Sequence, residues 1–155
     1  MRLDWEGMYK RYIADEVRTP YRVPVHRLTR TQARHELFVS TLFTGVIFGV
    51  LAIATLSPAL PHGTALGVPL YCASVLAAAI VLGLFKHEAA ATWCAAAPAG
   101  ALVYFAVWGF LPKHGPFEKT VLVVLFLAWL AYGWRVLAIV RAWPDLDDAP
   151  KRDQR

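Results

Sequence analysis

Polar and charged residues crowd the first 35 positions and the last dozen, and between them run long apolar stretches broken by short turns. From Glu36 to Lys113 the only formal charges in between are Lys86 and Glu88, and from Val121 to Val140 the only one is Arg135. A water-soluble domain of this size has no means of covering so much uncharged sequence, so its solvent is lipid. In lipid the backbone must satisfy its own hydrogen bonds within each segment, which dictates helices. The pattern predicts an all-α polytopic membrane protein: a four-transmembrane-helix bundle preceded by an N-terminal amphipathic cytoplasmic helix.

The spans are expected at about 37–56, 65–85, 89–110 and 120–141. Pro61-His62-Gly63 turns the chain after the first, and Lys86-His87-Glu88 forms a tight polar turn after the second. Pro98 falls inside the third, where it is expected to kink the helix. Three regions follow: an arm at 1–35, a transmembrane domain at 36–143 and a polar tail at 144–155.

Within the arm, Trp5, Met8, Tyr9, Tyr12 and Ile13 keep the spacing of one helical face. The charges around them are mixed in sign, unlike the Lys/Arg-rich face of a helix built only to lie on anionic lipid. This face is a candidate lipid or partner contact, and both readings stay open. Further along, Pro20 and Pro24 are expected to hold residues 21–25 extended. Arg22, Arg27, Arg30 and Arg34 follow with no acid before Glu36. They are candidates to touch lipid phosphates or an acidic partner surface. Thr29 and Gln32 match a capping box, which places the start of the first membrane helix near Arg30.

Charge sets the expected orientation. The net charge is +5, and thirteen Lys and Arg fall on the side of the termini and the Lys86 turn, against Lys113 and Lys119 opposite. The positive-inside rule then puts both termini in the cytoplasm. The Ala- and Arg-rich composition fits a bacterial inner-membrane protein. The basic cluster is short and juxtamembrane, so topology accounts for it and no nucleic-acid partner is expected.

Helix association in lipid depends on small residues that let backbones approach. Gly45 and Gly49 in the first span, with Ala96 and Gly100 in the third, are the candidate packing positions. The fourth span is bulky nearly all round and is expected to be the more lipid-facing. Cys72 and Cys94 sit in apolar runs and are expected as small buried residues, with no disulfide.

Candidate chemistry is sparse. The five histidines lie outside the span centres, which disfavours a bis-histidine haem site. Glu36 is read as lying at the edge of the first span, leaving no carboxylate relay inside the spans. His114 and Glu118 share a loop, but two groups do not make a metal site. Catalytic residues, metal and cofactor are all expected to be absent. Arg135 is expected to snorkel about 9 Å to the cytoplasmic interface. Its alternative is a partner: a lipid or quinone headgroup, or a carboxylate on a neighbouring subunit, framed by Tyr132 and Trp134. The expected function is a non-catalytic accessory or assembly subunit that contacts membrane lipids and other subunits. The alternative is a small homo-oligomeric transporter, channel or lipid/quinone-binding protein.

Overall fold

The computed structural model describes residues 23–110 and 115–147. They form α1 (Arg30–Ala54), α2 (Gly67–Phe85), α3 (Glu88–Trp108) and α4 (Pro116–Ala142), with 3₁₀ turns at Val25–Arg27 and Trp143–Asp145. All four helices are long and apolar enough to cross a membrane, and the chain is a multi-pass membrane protein. The amphipathic face expected at Trp5 to Ile13 lies outside the described residues.

Each helix boundary has a local cause. At the start of α1 the Thr29 hydroxyl accepts from the Gln32 N–H at 3.3 Å, while the Gln32 side chain accepts from the Thr29 N–H at 3.0 Å. That reciprocal cap satisfies two donors the helix leaves open. It also starts α1 well ahead of the apolar run that begins at Leu37. Lys86 ends α2 in the left-handed region (φ 50°), its N–H bonded to the Leu82 carbonyl at 3.0 Å. His87 then caps α3, accepting from the Ala89 N–H at 3.2 Å. The α2–α3 turn is therefore only two residues, with Glu88 already inside α3. Pro116 opens α4, four residues earlier than the hydrophobic pattern alone places it. Its first turn is capped by Glu118, which accepts from the Gly115 N–H at 3.1 Å. The 3₁₀ turn at Val25–Arg27 replaces the extended backbone expected through residue 25. Pro24 favours an extended residue before it, but places no such restriction after it.

Two hairpins make up the bundle. The α1–α2 and α3–α4 pairs share long faces, α2 and α3 meet less, α1 and α4 touch only locally, and the α1–α3 and α2–α4 pairs touch least. The larger core cluster occupies the end where the described chain starts and stops, here the terminal end. It joins Leu28, Ala33, Leu37, Ala79, Leu82, Ala91, Val136 and Ile139. Both flanking segments close over it: Leu28 and Leu146 are buried, and the Arg30 N–H donates to the Asp147 carbonyl at 2.9 Å. A smaller cluster of Phe48, Cys72, Val75 and Ala97 lies deeper. Cys72 and Cys94 are both buried and unbridged.

The small residues play unequal parts. Gly45 and Gly49 lie on the α1–α2 contact, facing Leu76 and Ala79, but a Cβ there would meet them at an ordinary 3.7–3.8 Å. Gly100 lies beneath the Tyr71 ring, which a Cβ would strike. The Tyr71 hydroxyl also donates to the Ala97 carbonyl at 3.2 Å. Ala96 is exposed, while Ala97 on its flank is fully buried. The tightest backbone approach comes from the span expected to face lipid. A Cβ on Gly133 would stand 2.9 Å from the Ala95 Cα and 3.0 Å from its carbonyl oxygen. Gly133, Val136, Leu137, Ile139 and Val140 are the buried stripe of α4. One glycine sets against α3 a helix that otherwise reads as bulky.

Gly133→Ala is therefore expected to cost about 1–3 kcal/mol, because the atoms it meets belong to a helix backbone. Gly45→Ala should be neutral or stabilising, since alanine is the better helix former by roughly 1 kcal/mol. Unfolding of both variants in mixed micelles checks this, and equal losses would contradict it.

Candidate functional site

A membrane helix tolerates an ionised side chain only if something nearby matches it, at a cost of about 2.5–3.5 kcal/mol when nothing does. Two such groups lie within the apolar helices here, and they meet. Glu36 stands six residues into α1 and is fully buried. Arg135 stands six residues before Arg141 near the end of α4. Because α1 enters at the terminal end and α4 returns to it, both sit at the same depth, about 9 Å along the helix. The Arg135 Nε donates to Glu36 Oε1 at 2.6 Å and its Nη2 to Oε2 at 3.1 Å, a two-pronged grip that matches the planar guanidinium to the carboxylate. The Tyr132 hydroxyl donates to the same Oε1 at 3.1 Å. Nη2 also reaches the Val23 carbonyl at 2.9 Å, which pins the segment leading into α1.

This corrects two expectations. Arg135 does not snorkel outward, and its carboxylate partner belongs to the same chain, not to a neighbouring subunit. Glu36 borders the apolar run that begins at Leu37, but with α1 starting at Arg30 it lies inside the helix and is fully buried rather than open to the polar side. Tyr132 does frame the site, as the sequence had placed it. Trp134 instead points outward, 67% exposed.

Beside this cluster the seam between α1 and α4 opens into a groove of about 300 Å³ lined by Val39, Ser40, Phe43, Trp129 and Tyr132. The Phe43 and Trp129 rings close its far end edge to face, 4.9 Å between centroids. Phe48 backs Trp129 at 6.0 Å and Tyr71 at 6.3 Å, so an aromatic row crosses the bundle from α4 to α2. The walls are almost wholly apolar, with a polar cluster at one end only.

Other polar side chains in the spans are engaged within the bundle: the Trp93 Nε1–H of α3 donates to the Ser74 hydroxyl of α2 at 3.1 Å. The Thr41, Ser74 and Thr92 hydroxyls each donate to a carbonyl of their own helix, at 2.9, 2.7 and 3.0 Å. At the opposite end of the bundle, His62 is buried in the α1–α2 connection. Its Nε2 lies 2.9 Å from the Thr55 carbonyl and its Nδ1 2.9 Å from the Tyr104 hydroxyl. A neutral ring protonated on Nε2 satisfies both, donating to the last turn of α1 and accepting from α3. Sequence reading placed His62 in a turn and missed this lock.

Of the remaining candidate contacts, Arg27 and Arg34 are exposed, and Arg30 is half-buried in the first turn of α1. Trp5, Tyr9, Tyr12, Ile13 and Arg22 lie outside the described residues. Arg141 pairs with Glu88 at 2.6 Å on the surface, linking the α2–α3 turn to α4. Among the described residues no three His, Cys, Asp or Glu side chains converge as metal ligands do.

If the grip is two-pronged, charge alone does not replace it. Arg135→Lys should destabilise the bundle more than Tyr132→Phe, which removes one hydrogen bond to a charged acceptor worth about 1.5–3 kcal/mol. Unfolding midpoints in mixed micelles decide the order, and a harmless Arg135→Lys would contradict the geometry.

No protein-family model matches the chain, and no curated protein or solved structure resembles it significantly.

Proposed function

We propose that the protein is a non-catalytic accessory or assembly subunit of a larger complex in the bacterial inner membrane. It packs its spans and N-terminal arm on partner subunits, with both termini in the cytoplasm. The observation that carries this reading is how the Glu36–Arg135–Tyr132 cluster spends its charge. The ionised groups inside the apolar helices are engaged with each other and with the backbone, holding the bundle shut. The Thr41 and Thr92 hydroxyls donate within their own helices, and Ser74 bonds both its own helix and Trp93 of α3. What the bundle offers outward is a broad apolar surface: Phe38, Leu42, Val46, Ile53, Val103 and Trp134 are all well exposed. In the sequence of the arm, Trp5, Met8, Tyr9, Tyr12 and Ile13 recur at helical spacing among charges of both signs, which suits a protein surface.

The transporter or channel alternative needs a polar path along the bundle, and these internal bonds argue against one. The excess of Lys and Arg on the side of the termini supports the orientation.

Purification of the tagged native complex under mild detergent tests the reading. Intact protein should recover companion subunits. A deletion of residues 1–18 should insert normally, because the spans and Arg22 to Arg34 still direct topology, yet lose those companions. Recovery of a homo-oligomer alone would overturn the proposal.

A further inference from the structure

The groove at the α1–α4 seam opens on two helices long and apolar enough to cross a membrane, so lipid hydrocarbon is at hand to fill it. We propose that it holds one acyl chain of an anionic glycerophospholipid, with the phosphate at the terminal-end mouth. This does not depend on the accessory-subunit reading, only on the membrane-spanning one.

The groove is an open apolar furrow of about 300 Å³ between two helices, which a flexible hydrocarbon chain can enter. The walls suit that occupant, with Val39, Phe43 and Trp129 presenting apolar surface throughout.

Charge sets the direction in which the lipid lies. The mouth is next to Arg135, whose side chain is 22% exposed, and Tyr132 lines the groove on that side. Exposed His35 stands one turn above Val39 on the same stripe of α1. Beyond the Glu36–Arg135 and Glu88–Arg141 pairs, the described terminal end carries Arg27, Arg34 and Lys86 against Asp145. A phosphate diester is the complementary headgroup there, and basic residues at the membrane surface attract anionic lipid. The opposite end of the groove is closed by the Phe43–Trp129 contact and gives a polar headgroup no partner.

The test uses the full chain reconstituted in bilayers of mixed phosphatidylglycerol and phosphatidylcholine, released into native mass spectrometry. Wild type should retain one phospholipid, with phosphatidylglycerol favoured several-fold. Ser40→Phe, which fills the groove, should lose it, while Leu42→Phe, on an exposed flank of α1, should keep it. Equal retention in wild type and Ser40→Phe, equal loss in Leu42→Phe, or no retention by wild type would overturn the proposal. Equal retention of the two headgroups would overturn the charged mouth. A phospholipid with a photoreactive acyl chain gives a readout that needs no substitution. Adducts should map to the peptides holding Val39–Phe43 and Trp129–Tyr132, and adducts elsewhere would overturn the site even if Ser40→Phe fails to fold. Because these measurements use the isolated chain, their failure leaves the accessory-subunit reading standing, and failure of the pull-down leaves this one.

Discussion

A charge buried among apolar helices needs a partner, and among the described residues Glu36 and Arg135 supply one to each other. The two residues are 99 positions apart, on the first and last helices. Sequential neighbours in a helical bundle are held near one another by their short turns, but α1 and α4 have no such tether. The ion pair supplies it, and the Val23 carbonyl and Tyr132 hydroxyl extend it into the strap and the helix face. Buried pairs of this kind seldom add net stability over well-packed apolar groups. Their effect is to make alternatives costly: any packing that separates α1 from α4 here leaves each buried charge without its partner.

From that closure the rest of the bundle takes its shape. The terminal end is sealed by the paired charges, the Thr29 cap and the Arg30–Asp147 backbone bond. The other end is sealed by His62, which ties the last turn of α1 to Tyr104 on α3. Between them the hairpins diverge just enough along the α1–α4 seam to leave the aromatic-walled groove, while Gly133 keeps α3 and α4 in near backbone contact. Polar groups thus stabilise the ends, apolar packing the middle, and lipid-facing surface remains outside.

Much of the fold was legible in the residues. The length and spacing of the apolar runs gave four helices, Thr29 and Gln32 marked where the first begins, and the Lys86 turn and buried cysteines were plain. The site was harder for physical reasons. Glu36 borders a basic arm in sequence, so its burial shows only when α1 is extended back to its cap. Matching its depth to that of Arg135 was the signal that could have paired them. Gly133 escaped notice because paired-glycine motifs mark helices that approach through two small residues, whereas here a single glycine meets Ala95. Ala96 sits in a run of alanines in which composition does not reveal which side faces inward, and its neighbour Ala97 is the buried one. His62 looked like a turn residue because its partners lie in α3, remote in sequence.

The central claim is that Glu36 and Arg135 act as one unit closing α1 on α4. A double-mutant cycle with Glu36→Gln, Arg135→Gln and the combined variant, read as unfolding free energy in a bilayer mimetic, measures it directly. Each single change should cost about 3–5 kcal/mol, because it strands the opposite charge. The combined variant should cost clearly less than the two added together. Additive losses would mean that the two residues act independently and that something else holds the first helix to the last.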